Sequence, residues 1–286
     1  MHQPVVLVTG GSSGIGRCAA AALQDAGCKV YEISRRHIPL EGVTHICADV
    51  TDETAVRTAV KRAAEEGLDV VVNCAGFGIS GAVEFTELAD AKRQFDVNFF
   101  GMVNVNKAAM PYLRQSRGRI VTVSSVAAVA HIPFQTYYSA TKAAIESYTC
   151  CLANEVRPFG VSVTAVQPGD IRTTFTQNRK KNHLGDDVYG GRIGRSVASM
   201  EKDEANGMDP AVAGRYIARV ALKKRVKPIY TLGFGYKALS VLCKLLPCRL
   251  RNFIVGQLYA KKQASSRKKQ NSLGFENRGS FLFFNR

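Results

Sequence analysis

Short apolar runs alternate along the chain with longer stretches in which apolar residues recur at helical spacing. The runs predict strands, and nearly continuous runs such as VVLV and VSVTAV are typical of parallel strands covered by helices on both faces. The predicted strands cover residues 5–9, 29–34, 45–48, 69–73, 118–124 and 162–167, and the predicted helices cover 14–26, 52–66, 87–113, 138–157 and 210–223. This alternation predicts an α/β fold, a Rossmann-type doubly wound parallel sheet in a single domain.

The same pattern divides the chain into a body and an extension. Residues 1–228 form one predicted α/β domain. Within it, residues 172–208 have little apolar period and are expected to form a long functional loop with some short helix. Residues 229–260 interleave apolar residues with Lys and Arg and predict basic amphipathic helices, while residues 261–286 are polar and predict a disordered tail.

The formal net charge of +16 is confined to the last quarter of the chain. Residues 1–214 hold 22 Lys/Arg against 22 Asp/Glu, whereas residues 215–286 hold 17 Lys/Arg against one acid, Glu276. The body is therefore neutral, and nucleic acid is not its expected partner. The basic extension allows three interpretations: contact with an anionic membrane surface, a cap over an apolar substrate entrance, or a subunit interface.

Several other classes of protein are disfavoured. The eight cysteines include no CxxC pair, so neither a zinc site nor a disulfide framework is predicted. The first residues, MHQPVVLV, predict a strand rather than a leader, and a cytoplasmic location is expected. No apolar stretch approaches the ~20 residues that a membrane-spanning helix needs.

A glycine-rich turn follows the first predicted strand and opens the first predicted helix, with the sequence Thr9-Gly10-Gly11-Ser12-Ser13-Gly14-Ile15-Gly16. Gly10, Gly14 and Gly16 permit a tight turn and close backbone approach, while the helix N-terminus offers free N–H groups to a pyrophosphate. The alternative is a tight connection that binds nothing.

The pattern TGxxxGIG resembles the phosphate loop of the short-chain dehydrogenases/reductases. The resemblance covers residues 4 to about 175 and continues more loosely to about 225. It implies that a nicotinamide dinucleotide contacts the loop at Gly10, Ser12, Ser13, Gly14, Ile15 and Gly16. It implies further cofactor contacts at Asp49, Val50, Asn73, Ala75, Gly76, Pro168, Gly169, Ile171 and Thr173. An Asn or Asp at a strand end is alternatively a turn former.

The end of the second predicted strand bears on the choice of cofactor. It reads Ser34-Arg35-Arg36, with no acid at the tip. A carboxylate there would bind the ribose 2′-OH and repel a 2′-phosphate, whereas arginine offers a planar fork of donors to a phosphate. The sequence favours NADP(H) over NAD(H), with Ser34 and Arg35 as contacts. The alternative is that both arginines are ordinary solvated charges.

Tyr138 and Lys142 stand at i and i+4, which places a phenol and an ammonium one turn apart on the same helix face. An ammonium nearby, together with an oxidised nicotinamide ring, lowers the pKa of a tyrosine from about 10 toward working pH. Such a tyrosine acts as a base on an alcohol or as an acid on a ketone. No metal is required.

Ser125 lies at the end of the strand predicted over residues 118–124. In order and spacing, Ser125, Tyr138 and Lys142 resemble the catalytic set of the short-chain family. The resemblance implies that Ser125 holds and polarises the substrate oxygen, and that Tyr138 and Lys142 also contact the cofactor. Ser124 is expected to point to the opposite face of the strand. Asn98 resembles the family's helix asparagine that supports a water next to the lysine; the alternative is a cap or kink in a long helix.

The resemblance also implies a homodimer or homotetramer, and a segment at 172–208 that folds over the substrate. The basic extension resembles that of hydroxysteroid dehydrogenase-like members. We therefore expect an oxidoreductase that interconverts a secondary alcohol and a ketone on a bulky apolar substrate, with a hydroxysteroid favoured over a retinoid or an acyl-ketone lipid precursor.

Two hypotheses from other classes stay open. One is a regulatory protein that binds NADP without catalysis, although the presence of Ser125, Tyr138 and Lys142 argues against it. The other is a membrane- or nucleic-acid-binding protein that acts through residues 215–286.

Overall fold

A computed structural model describes residues 2–259. Its centre is a parallel sheet of seven strands in the order β3-β2-β1-β4-β6-β7-β9, beside a two-stranded parallel pair of β5 and β8. The strands are β1 (Val5–Thr9), β2 (Lys29–Ser34), β3 (Val43–Cys47), β4 (Val70–Asn73), β5 (Ile79–Ser80), β6 (Arg119–Val123), β7 (Ser162–Gln167), β8 (Lys180–Lys181) and β9 (Ile229–Thr231). The predicted doubly wound α/β fold is confirmed.

The continuous apolar runs reflect a sheet that is buried on both faces. Along β1, Val5 and Leu7 pack into one core cluster, while Val6 and Val8 pack into the cluster on the opposite face. Alternate residues of a strand point to opposite faces, so an apolar residue is needed at every position.

The helices are α1 (Gly14–Asp25), α2 (Glu53–Ala63), α3 (Leu88–Phe95), α4 (Gly101–Ser116), α5 (Ala127–Ala130), α6 (Thr136–Glu155), α7 (Phe175–Asn178), α8 (Arg192–Ala205), α9 (Pro210–Ala221), α10 (Phe234–Leu245) and α11 (Cys248–Tyr259). Residues of α2, α4 and α6 pack on one face of the sheet. Residues of α1 and α9 pack on the other. The sheet is therefore a middle layer between two layers of helix.

The bounds of several predicted elements differ from the structure by one to three residues, and one predicted helix is divided. The third strand is Val43–Cys47 rather than residues 45–48. The predicted helix over residues 87–113 is divided into α3 and α4 by a π-helical segment, Asp96–Phe100, that contains Asn98. The N-cap of α2 is Asp52, whose carboxylate accepts from two backbone N–H groups.

The segment expected to be a long loop, residues 172–208, holds more regular structure than predicted. It contains α7, β8 and the 14-residue α8. Three residues of α8, Ile193, Val197 and Met200, are buried in one small apolar cluster. These three residues are spaced at the helical period, but the glycines and charged residues around them hide this pattern in the sequence.

The C-terminal extension begins differently from the prediction. Ile229–Thr231 is not helical; it pairs with β7 and forms an edge of the main sheet. The two amphipathic helices that follow, α10 and α11, are joined by a hydrogen bond from Arg251 Nη1 to the carbonyl of Cys243 at 3.1 Å. No helix among the described residues is long and apolar enough to cross a bilayer. The prediction of disorder for residues 261–286 lies outside the described residues.

Candidate active site

The main sheet has a topological switch at β1, which pairs with β2 on one side and β4 on the other. Ligands of open α/β sheets bind at the carboxyl ends of the strands beside such a switch. A cavity of about 690 Å³ lies there. It is lined by these predicted site residues: Gly10, Ser12, Ser13, Gly14, Ile15, Gly16, Ser34, Arg35, Asp49, Val50, Ala75, Gly76, Ser125, Tyr138, Lys142, Pro168, Gly169, Ile171 and Thr173. The structure thus brings together residues from seven separate segments of the chain.

The glycine turn has the geometry of an anion cradle. Gly10 has φ +69°, a backbone conformation that favours glycine. A Cβ at position 16 would lie 2.4 Å from the carbonyl oxygen of Gly10, so no residue other than glycine fits at position 16 without moving the loop. Helix α1 starts at Gly14, its N-cap Ser13 makes no side-chain capping bond, and its first turn contains no acid. The positive end of the helix faces the cavity with N–H groups for a diphosphate. The loop fits a nicotinamide dinucleotide.

The adenosine end of the cavity is basic. The side chain of Arg35 is 67% exposed, and its closest ion-pair partner is Asp49 at 3.9 Å, so the guanidinium is available to a ligand. The one acid on β2, Glu32, is buried and binds His45 and Ser34 instead of lining the cavity. No carboxylate of β2 therefore opposes a phosphate at this end.

Two predicted site residues, Asn73 and Asn98, do not line the cavity. The Asn73 amide donates to Asn106 at 2.8 Å. Asn98 is buried, accepts from the N–H of Phe77 at 2.9 Å and donates to its carbonyl at 2.9 Å. It also lies 3.3 Å from the hydroxyl of Thr141, the neighbour of Lys142. Asn98 therefore holds the backbone of Phe77, which lines the cavity, and the π-helical segment positions the Asn98 amide for this contact.

Ser125, Tyr138 and Lys142 meet at the end of β6. The Ser125 hydroxyl lies close enough to the Tyr138 phenol to lower its pKa. The ammonium nitrogen of Lys142 donates to the carbonyl of Val123 at 2.8 Å and lies 5.6 Å from the centroid of the Tyr138 ring. One helical turn of α6 and the end of one strand therefore hold the three side chains together.

The predicted lowering of the tyrosine pKa does not hold for the protein alone. Burial raises the pKa of Tyr138 to about 12, against the opposing effects of the Ser125 hydrogen bond and of Arg179. Burial also lowers the pKa of Lys142 to about 8, against the opposing effects of Cys74 and Glu146. Desolvation penalises whichever form is charged, and here it outweighs the neighbouring charges. The phenol is protonated at neutral pH.

A buried polar network behind Lys142 was not predicted. Glu146 accepts from Ser124 at 2.9 Å and from the amide of Gln167, and Gln167 accepts in turn from Thr231 at 2.7 Å and Ser240 at 3.3 Å. The network joins the catalytic helix to β7, β9 and α10. Glu146 follows Lys142 by one helical turn, and this spacing is the feature of the sequence from which the network could have been predicted.

The part of the cavity beside α8, α10 and α11 combines apolar walls with acidic residues. Apolar side chains come from α8, α10 and α11 and include Met200, Leu239 and Val255. Asp170 and Glu204 also line this part. Asp170 accepts from the hydroxyl of Tyr236 at 2.6 Å, and Glu204 forms a buried ion pair with Arg179. Both carboxylates raise the pKa of Tyr138, so they lie within electrostatic reach of the phenol.

Comparison with known proteins agrees with this geometry. Residues 4–184 match the model of the short chain dehydrogenase family. A 3-ketodihydrosphingosine reductase of Bacteroides thetaiotaomicron is 40% identical over 232 residues, 78% of this chain and 86% of the relative. Dehydrogenase/reductase SDR family member 7B of Rattus norvegicus is 30% identical over 292 residues, 95% of this chain and 85% of the relative.

A short-chain dehydrogenase from Streptomyces avermitilis has a similar structure, with a TM-score of 0.73 and 29% identity over 84% of this chain and 92% of that chain. The chain belongs to the short-chain dehydrogenase family. It is an NAD(P)-dependent oxidoreductase that acts on an alcohol or a ketone. The predicted homodimer or homotetramer stays a prediction.

Proposed function

We propose that the protein uses NADPH to reduce the ketone of a long-chain lipid that carries an amino group beside the ketone. The observation that carries this proposal is the pair of carboxylates, Asp170 and Glu204, in the part of the cavity that apolar side chains of α8, α10 and α11 line. Glu204 is paired with Arg179, whereas Asp170 accepts only from the Tyr236 hydroxyl and forms no ion pair among the described residues. An ammonium group on the substrate would pair with Asp170, whereas a hydroxysteroid or a retinoid has no charge to offer.

The relative from Bacteroides supports the same substrate class, because its name describes the reduction of a long-chain 2-amino-3-ketone. Of the substrates that the sequence left open, the acyl-ketone lipid precursor is therefore favoured over the hydroxysteroid. The apolar walls of α8, α10 and α11 suit the alkyl chain of such a lipid.

The preference for NADPH rests on Arg35 and on the absence of an acid at the end of β2. Arg35 would bind the 2′-phosphate, the glycine turn would bind the diphosphate, and Thr173, which packs over Gly14, lies beside the loop on the nicotinamide side. When bound, the nicotinamide supplies the hydride for the carbonyl carbon.

The chain's own residues manage the proton. The Ser125 hydroxyl holds the carbonyl oxygen, and Tyr138, which lies beside Ser125, donates its proton to that oxygen as the alcohol forms. A raised pKa keeps Tyr138 in the protonated form that reduction requires. Lys142 places a positive charge beside the phenolate that remains.

Substrate discrimination tests the proposal. NADPH consumption would be followed with 3-ketodihydrosphingosine, with the same ketone lacking the amine, and with a ketosteroid. The wild type should favour the amino ketone, and Asp170→Asn should raise its KM roughly tenfold to a hundredfold, as expected for a lost charge-assisted contact. The KM of the ketone without the amine should not change.

Glu201→Gln is the matched control, because Glu201 lies on α8 one turn before Glu204 and pairs with Lys181 outside the cavity. A higher kcat/KM for the ketosteroid than for the amino ketone would overturn the proposed substrate. Equal loss for both lipid ketones in Asp170→Asn would overturn the role of the carboxylate.

A further inference from the structure

Helices α10 and α11 expose an unusual amount of apolar surface. Eight large apolar side chains on them are exposed: Phe234, Val241, Leu242, Leu245, Leu250, Phe253, Ile254 and Leu258. Phe234 and Leu245 are 89% and 77% exposed. Elsewhere in the described chain such side chains are scattered over many elements. Concentrated apolar exposure marks an interaction surface.

The exposure follows the helical period. On α10, Tyr236, Leu239 and Cys243 face inward, whereas Phe234, Val241 and Leu245 face outward. On α11 the inward residue is Val255, while Leu250, Ile254 and Leu258 recur every fourth residue on the outside. Each helix is thus apolar on two sides: one packs against the protein, and the other has no partner among the described residues.

The charges on the two helices all have one sign. Exposed Lys237, Lys244 and Arg249 lie on the two helices, and residues 232–259 contain no Asp or Glu. A basic amphipathic surface of this kind is complementary to a bilayer with anionic headgroups, into which the apolar side chains insert at the interface.

The surface is also continuous with the cavity. Leu239, Val255 and Leu258 line the cavity, and Leu258 is at the same time 62% exposed. The mouth on this side therefore opens between the helices that carry the exposed apolar side chains. A lipid that enters here passes from an apolar surface into an apolar cavity.

We propose that α10 and α11 form a docking surface for an anionic lipid bilayer, which seats the cavity mouth on the membrane. A second copy of the chain is the weaker occupant, because a twofold interface would bring this purely basic surface against itself. The proposal goes beyond the reductase function and does not depend on the identity of the substrate.

Vesicle sedimentation of the full chain, without NADPH or substrate, tests the proposal. The protein should bind vesicles that contain phosphatidylglycerol and bind far less to pure phosphatidylcholine. The double variant Leu245→Glu/Phe253→Glu should lower partitioning by about tenfold or more, because two inserting side chains are lost. Leu88→Glu on α3 is the matched control, since Leu88 is 62% exposed and distant in sequence from this surface. It should bind like the wild type.

Three results would overturn the proposal. The first is that the wild type fails to bind anionic vesicles. The second is that the double variant binds as well as the wild type, which would assign binding to residues 260–286. The third is that the wild type is an oligomer in solution and the double variant is not, which would make the surface a subunit interface. Reduction of a water-soluble ketone by the double variant should equal that of the wild type. Loss of that activity would instead report damage to the enzyme fold.

Discussion

Replacing Lys142 with methionine should make the folded protein more stable while it abolishes turnover. Burial lowers the pKa of Lys142 from 10.5 to about 8, so the ammonium form destabilises the fold at neutral pH. At ~1.4 kcal/mol per pKa unit, this destabilisation amounts to about 3 kcal/mol. The variant also leaves the Val123 carbonyl without its donor, which costs about 1 kcal/mol. The expected net gain in the free energy of unfolding is about 2 kcal/mol at pH 7.

The pH dependence of this gain tests its cause. Below pH 8 the lysine is protonated in both the folded and the unfolded protein, and the full destabilisation is present. Between pH 8 and 10.5 the folded protein releases the proton first, so the advantage of the methionine variant should shrink. Urea unfolding of both proteins at pH 7 and pH 9.5 measures the difference. A methionine variant that is less stable at pH 7, or a gain that is independent of pH, would refute the reasoning.

Two further predictions concern the cofactor and the buried network. Arg35→Ala should raise the KM for NADPH roughly tenfold to a hundredfold and leave the KM for NADH unchanged, since one charge-assisted phosphate contact is lost. The control is Arg57→Ala, which removes an exposed arginine on α2. An equal effect of Arg35→Ala on the KM of both cofactors would contradict the assignment. Glu146→Gln should lower the pKa of Lys142 further, because the Glu146 carboxylate raises it. The alkaline limb of the pH profile of kcat/KM should therefore move to lower pH, and an unshifted limb would show that Glu146 is only structural.

The sheet and the reacting groups follow from local patterns in the sequence. The strands β1, β2 and β7 have the predicted bounds. In β1 and β7 the apolar run is nearly continuous, as a segment buried on both faces requires. Tyr138 and Lys142 share a helix face by spacing alone, and Ser125 follows a predicted strand.

The remaining features depend on contacts that are distant in sequence. Helix α8 carries its apolar stripe among charges and is buried by Phe134 and Ala82, which lie far away in the chain. Strand β9 is a short edge strand that is defined by its pairing with β7. In the protein alone, the pKa of Tyr138 is raised because burial, a property of the whole cavity wall, outweighs the nearby charges.

The central claim is that Tyr138 donates the proton to the ketone. Single-turnover oxidation of NADPH in the presence of 3-ketodihydrosphingosine, compared between the wild type and Tyr138→Phe, tests it most directly, with NADPH affinity measured in parallel. We expect the rate to fall about a thousandfold, within the range for a positioned general acid, while NADPH binds as tightly as before. A variant that oxidises NADPH at the wild-type rate would contradict the claim.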